Sequence, residues 1–279
     1  MKLVRKKLNR EMKWGAAILS LYLFWLIYWL FQKYILQGSL SRPYTPDIDM
    51  TKELVAPSFE NFWFGTDLFG RSLFEVLSAG LSYSLSLAVL VSASCLMIGI
   101  VIGYLTVVGP KFFKVLFDLI TNIVFIFPSI LIAILVMSVT GQSLKGLIFA
   151  LIITGWPGYA RIARGETQRV LGLSYVESAK AIGVGPFRLF RKCIIPDILP
   201  QIMIHFVLGL SGVVISEAAL GFLGLGGSEF SWGALLADAK SVLLEAPYVT
   251  VFISLCMAGL IIGLNLLGDG LRDYLDPQG

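Results

Sequence analysis

Residues 175–200 read YVESAKAIGVGPFRLFRKCIIPDILP, a polar and basic stretch between long apolar runs. A chain that only crosses a bilayer has no use for two short amphipathic helices joined by glycine at this place. A chain that must be pushed by a soluble partner does. Ser174, Tyr175, Val176 and Glu177 fit a capping box, in which hydroxyl and carboxylate each satisfy an amide of the helix start. The spacing predicts a short helix over 175–182 carrying Ala179, Ala181 and Ile182. Gly183 ends it, because glycine adopts positive φ at a helix C-terminus without penalty. Pro186 suits the first turn of a second helix, which bears Phe187, Leu189 and Phe190 among Arg188, Arg191 and Lys192. Pro196 and Pro200 then mark re-entry into the membrane. Such a basic loop also suits an anionic lipid surface. The capped helix, the glycine joint and the second helix together favour a rigid docking knob whose small apolar tip fits a groove on a soluble protein.

Working outward, the chain has 279 residues, 57% hydrophobic and 14% charged, where a soluble domain carries about 25% charged residues. The apolar residues fall in runs of roughly 17 to 25, the length that crosses a bilayer core as helix. The fold class is therefore all-α and polytopic, with six transmembrane helices near 14–36, 82–108, 115–140, 143–160, 198–222 and 248–268. A transmembrane barrel would show short alternating segments instead. Gly155, Trp156, Pro157 and Gly158 interrupt the fourth span, which membrane helices tolerate when neighbours re-satisfy the backbone. The organisation is a cytoplasmic N-terminus at 1–13, a first span at 14–36, an extracytoplasmic segment at 37–81, a core at 82–270 containing the loop 161–197, and a cytoplasmic tail at 271–279.

Orientation follows from Lys and Arg. With the N-terminus inside, the inner segments hold 16 of these residues and the outer segments 5, so both termini and the 161–197 loop are read as cytoplasmic. The apolar run from Trp14 to Phe31 follows a basic N-terminus but is too long for a cleaved signal peptide. The outer segment contains Pro43, Pro46 and Pro57 and an aromatic group of Phe59, Phe62, Trp63 and Phe64, the composition of an interfacial belt.

The sequence excludes several classes. The net charge of +4 is not gathered into a basic face on a soluble domain, so nucleic acid is not a partner. Cys95, Cys193 and Cys256 have neither metal nor disulfide spacing, and His205 is the single histidine. No Gly-Lys-Ser/Thr phosphate loop and no HExxH pattern occur. An intramembrane enzyme would need a nucleophile with its base. An ion-coupled transporter would show inverted repeats with carboxylates near mid-membrane. Polar groups at membrane depth lean functional. Asp118 and Asn122 lie one turn apart in the third span, and Glu217 lies near the outer end of the fifth. Phe125, Phe127, Pro128 and Ser129 sit mid-span as candidate pathway lining. The serines of the second span, Ser82 to Ser94, permit close helix packing.

The loop resembles the EAA loop of bacterial ABC importer permeases, whose pattern is E-A-A, three residues, G, nine residues, I-x-L-P. Glu177, Ala179, Gly183 and Pro196 match in register, while Ser178, Cys193 and Ile195 replace Ala, Ile and Leu. Residues 65–72, GTDLFGRS, resemble the GTDxxGRD segment of the dipeptide, oligopeptide and nickel permease subfamily, with Ser72 in place of Asp. Residues 216–226, SEAALGFLGLG, followed by Ser231, Trp232 and Gly233, are similar to its SEAALSFLGLG segment. Residues 265–273, NLLGDGLRD, with Asp276 and Pro277, are similar to its C-terminal motif. The four motifs cover about 65–277 in the expected order.

The resemblance implies a type I ABC importer permease, the second permease subunit of its system, with 82–270 as the permease core. Its partners would be a second homologous permease, two cytoplasmic ATPases that bind ATP and Mg, and an extracytoplasmic substrate-binding protein, all around a bacterial inner membrane. No cofactor would belong to this chain, and ATP hydrolysis would occur in the separate subunits. Glu177, Ala179, Ala181, Ile182, Gly183, Pro186 and Phe187 would couple to an ATPase. Asp67, Arg71, Glu217 and Asp269 are gating or structural candidates, with Arg71 expected to pair with Glu217. Asn122, Phe127 and Ser129 are pathway candidates. Peptides are the expected substrate class; nickel, cobalt or a metal–chelator complex is the alternative.

Overall fold

The computed structural model describes residues 9–36 and 47–275. The readings placed on 1–8, Pro43, Pro46 and Asp276-Pro277 lie outside the described residues. Among the described residues ten α-helices form in order: α1 Arg10–Leu30, α2 Leu73–Val108, α3 Lys111–Ile126, α4 Ser129–Thr140, α5 Leu144–Leu171, α6 Ser174–Ala181, α7 Pro186–Leu189, α8 Ile195–Phe222, α9 Trp232–Ala239 and α10 Pro247–Leu275. Wider-wound turns extend α1 over Phe31–Leu36 and join α7 to α8 over Phe190–Ile194. Helices dominate because hydrocarbon offers the backbone no hydrogen-bond partners, and a helix satisfies its own.

Five helical runs among the described residues are long and apolar enough to cross a membrane, or six if the bent pair α3–α4 is one span. That pair corrects the expected continuous third span, for it bends by 99° at Phe127-Pro128. A residue before proline is pushed out of the α region, and Phe127 is extended at ψ 141°. The expected interruption of the fourth span is corrected the other way. α5 runs unbroken through a buried Pro157 to Leu171.

α2 packs along α5 and also meets α8, while α1 lies along α10. The α2–α5 crossing requires glycine. A Cβ on Gly99 would stand 2.5 Å from the Tyr159 Cβ, and one on Gly103 2.7 Å from the Ala160 carbonyl oxygen. α1 is tied to its neighbours by polar side chains. The Tyr22 hydroxyl donates to the Cys256 carbonyl at 2.7 Å, and the Trp25 indole N–H to Ser78 Oγ at 2.8 Å.

At the end of the bundle opposite α6 and α7, the GTDLFGRS turn closes on itself. Asp67 Oδ1 accepts from the amides of Phe69 and Arg71, both at 2.9 Å, and Oδ2 accepts from Arg71 Nε at 2.6 Å. Gly70 supplies the positive φ, +69°, that lets the chain turn back. The guanidinium is buried beneath Phe69, 4.5 Å from its ring centroid. Tyr248 of α10 pins the turn, its hydroxyl 2.9 Å from the Thr66 carbonyl oxygen and 3.0 Å from that of Val55. Trp232 of α9 is fully buried and donates to the Leu77 carbonyl at 3.1 Å.

Two outcomes follow from these contacts. Gly99→Val should force α2 away from α5 and lower stability by about 1–3 kcal/mol, the usual cost of overpacking; unfolding of the detergent-solubilised protein checks it. Arg71→Met should cost about 3–5 kcal/mol because it strands the Asp67 charge, whereas adding Asp67→Asn should recover much of that loss. A double variant no more stable than Arg71→Met would refute that account of the pair.

Candidate functional site

The α6–α7 turn sits on a hydrophobic base. Val176, Leu189, Ile194, Ile198 and Ile202 pack with Tyr104 of α2 and with Ala163 and Val170 of α5. The Tyr104 hydroxyl donates to the Pro186 carbonyl at 3.0 Å, and its ring lies 4.3 Å from that of Phe190. The apolar residues of the turn thus divide into those that seat it and those that do not.

The joint forms as its glycine requires. Gly183 has φ +82°. Its amide donates to the Lys180 carbonyl at 2.9 Å and the Val184 amide to Ala179 at 3.1 Å, the paired bonds of a Schellman ending. Pro186 opens α7 at its first position. The helix start differs from expectation. Leu173, not Ser174, is the cap residue and no side chain caps it. The helix begins one residue early, so the Ser174 hydroxyl falls inside the first turn, while its carbonyl accepts from Ser178 Oγ at 2.9 Å. The second difference is at re-entry: Pro196 and Pro200 lie within α8 and do not separate it from the loop. Pro196 is tolerated in the first turn, where its missing N–H has no helical partner, whereas Pro200 lies inside the helix.

The outward face is continuous. Glu177, Ala181, Ile182, Gly183, Pro186 and Phe187 are exposed, with Ile182 at 82% and Phe187 at 75%; Ala179 is half-buried. The Glu177 carboxylate makes no hydrogen bond or ion pair with any described residue. An apolar tip beside an unspent carboxylate, on a base held by buried residues, is a surface without a partner among the described residues.

The other candidates separate. Arg71 pairs with Asp67 in their own turn and not with Glu217, which corrects the expected bridge. The turn spends the guanidinium locally before α8 can reach it. Glu217 is buried on α8 and its Oε2 accepts from Ser84 Oγ of α2 at 3.1 Å. Beside the turn, on α9, burial raises the Asp238 carboxyl while Arg71 draws it down. Asp269 is exposed near the end of α10. Asn122 and Ser129 lie in different cavities, the first between α2, α3 and α5 and the second among α2, α4, α5 and α8. Phe127 forms the exposed bend between α3 and α4. Sequence reasoning missed the ion pair between Arg164 of α5 and Asp118 of α3, which no sequence spacing links. It also missed Arg161, which stands 3.9 Å over the Phe125 ring.

Residues 95–278 match the family described as binding-protein-dependent transport system inner membrane component. The glutathione transport system permease protein GsiD of Pectobacterium atrosepticum is 31% identical over 98% of this chain and 89% of its own length. The protein of the same name from Escherichia coli O157:H7 is 35% identical over 80% of this chain and 74% of its own. Among solved structures, an inward-facing form of the MetNI methionine ABC transporter is similar with TM-score 0.60 at 20% identity, over 72% of this chain and 97% of that one. An amino acid ABC transporter crystallised with histidines gives TM-score 0.53 at 18% identity, over 71% and 92%. The chain belongs to the binding-protein-dependent transport system inner membrane component family and is a membrane-embedded permease component of an ABC importer.

Proposed function

We propose that this chain is one of two related permease subunits of an importer of small peptides, and that it takes its drive from a cytoplasmic ATPase docked on the α6–α7 turn. The observation that carries this reading is the seated turn with an outward face of Glu177, Ile182, Gly183, Pro186 and Phe187. A stiff knob transmits a push, whereas a floppy loop absorbs it. ATP and Mg belong to the ATPase pair, and an extracytoplasmic binding protein delivers the substrate. Closure of the ATPases carries the docked turns with it and switches the membrane subunits between inward and outward openings. The excess of Lys and Arg on the α6–α7 side supports placing that side, with both termini, in the cytoplasm. Peptide as the substrate class is supported by the relatives named as glutathione permeases. The site-by-site reading follows the same division. The turn residues couple, Asp67, Arg71, Glu217 and Asp269 hold or gate the bundle, and Asn122, Phe127 and Ser129 face the path.

Uptake in a strain lacking this gene tests it, with labelled glutathione, a dipeptide and nickel supplied separately. Wild type should restore peptide uptake and not nickel uptake. Glu177→Ala removes one charge-assisted contact at the docking face and should lower peptide uptake by about ten-fold or more. Gly183→Pro should do the same, since proline fixes φ near −65° and removes the amide bonded to Lys180. Both variants should reach the membrane in normal amount by immunoblot. Full uptake by both at that amount would remove the turn from the coupling path.

A further inference from the structure

A cavity of about 200 Å³ opens between α2, α3 and α5. Its polar lining comes from Thr106, Asp118, Thr121, Asn122, Arg161 and Arg164, and most of these groups are already committed. Thr106 Oγ donates to the Gly103 carbonyl and Thr121 Oγ to that of Phe117, each at 2.7 Å. Asp118 is paired with Arg164. Arg161 and Asn122 remain, and neither makes a hydrogen bond or ion pair with any described residue. The Arg161 guanidinium uses its flat face on Phe125, 3.9 Å from the ring centroid. Stacking of this kind leaves the N–H edge free and fixes its orientation, the arrangement that receives a carboxylate through two parallel bonds.

The charge balance points the same way. Two guanidinium groups face one carboxylate, so the cavity is left with one uncompensated positive charge. Its unspent groups are the Arg161 N–H edge and the Asn122 amide, which are suited to an anionic acceptor. Arg161 lies about 17 residues along α5 from Leu144, or ~26 Å at the helical rise, which puts it near the far edge of a hydrocarbon core of about 30 Å, at the end of the bundle where α5 leads into α6.

We propose that Arg161, oriented by Phe125 and assisted by Asn122, binds a carboxylate of the passing substrate, so that this subunit itself favours anionic peptides. The proposal rests on the peptide-import reading above and adds a specificity site within the permease. Asp118 has the complementary task of neutralising Arg164, so that the cavity holds one anion and not two.

The test uses cells carrying the complete importer and two labelled tripeptides of one sequence, one with a free C-terminal carboxylate and one amidated. Each variant is compared with wild type on the same peptide, so that any preference of the delivery protein cancels. Arg161→Gln should slow uptake of the free acid about ten-fold, the size of one charge-assisted contact, and leave the amidated peptide within about two-fold of wild type. Arg161→Lys keeps the charge but loses the stacked two-bond fork, and should recover only part of the free-acid uptake. Equal loss on both peptides would make Arg161 a structural residue and overturn the proposal, as would no loss on either. Mass spectrometry of the purified complex adds a further arm. Co-purified phosphatidylglycerol that disappears in Arg161→Gln, with both uptakes unchanged, would assign the guanidinium to a lipid phosphate and overturn it as well. Wild type that imports neither peptide would instead sink the peptide reading, and this site with it.

Discussion

The closeness of α2 to α5 governs the rest of the bundle. Because Gly99 and Gly103 carry no side chains, the two backbones meet where any Cβ would collide, and dispersion over that seam holds helices that hydrocarbon alone has no reason to press together. The α6–α7 turn is seated on Tyr104 from one of these helices and on Ala163 and Val170 from the other. The inner cavity is walled by the same pair, with α3 as its third side. A shift of α2 along α5 would therefore move the α6–α7 turn and reshape the cavity together, and the closeness of the two backbones is why small residues outrank larger hydrophobes at the seam.

α3 is held differently. None of its residues is buried. Its links to α5 are the Asp118–Arg164 pair, the Arg161 guanidinium on Phe125 and the edge-on approach of Phe117 to Trp156. Partly exposed ion pairs contribute little, commonly 0–1 kcal/mol, so α3 is attached far more weakly than α2 or α5. With α4 it departs from a straight path by 99°. Its broad apolar surface, Phe112 through Phe127, is left for lipid or for another membrane subunit. Weak attachment at a helix that also walls a charged cavity is what a path that opens and closes requires.

The spans were legible because apolar run length is fixed by bilayer thickness, a constraint that acts on every residue of a segment at once. The turn was legible for a related reason: Gly183 and Pro186 each permit few backbone conformations, and the chain uses those conformations. What misled was proline read without its surroundings. Pro157 passes inside an intact helix, while Pro128 breaks one, and the difference lies in neighbours that local spacing does not contain. The cap was misplaced by one residue: the helix starts after Leu173, a poor capping residue, and takes Ser174 into its first turn. Arg71 was assigned the wrong carboxylate. The expected partner was Glu217, far along the chain, but the Gly70 turn brings Asp67, four residues away, within 2.6 Å. The Asp118–Arg164 pair spans 46 residues and could be read only from the packing of α3 on α5.

The run from Pro186 to Phe222 is continuous over 37 residues. Phe187 stands at its exposed start, and Glu217 is bonded to Ser84 near its other end. A helix is stiff along its axis, and Pro196 and Pro200 do not break this run, so a load on the α7 tip passes along it. It arrives some 30 residues away, about 45 Å at the helical rise, beside a carboxylate bonded by the Ser84 hydroxyl and, among the described residues, by no cation. Hydroxyl partners can be exchanged for water at small cost, whereas a buried ion pair such as Asp67–Arg71 cannot be broken so cheaply. On the proposed reading, the two ends of the bundle are therefore built for different work. The Asp67–Arg71 turn keeps the outer frame fixed, and the Ser84–Glu217 contact is the one that yields when the rod is pushed.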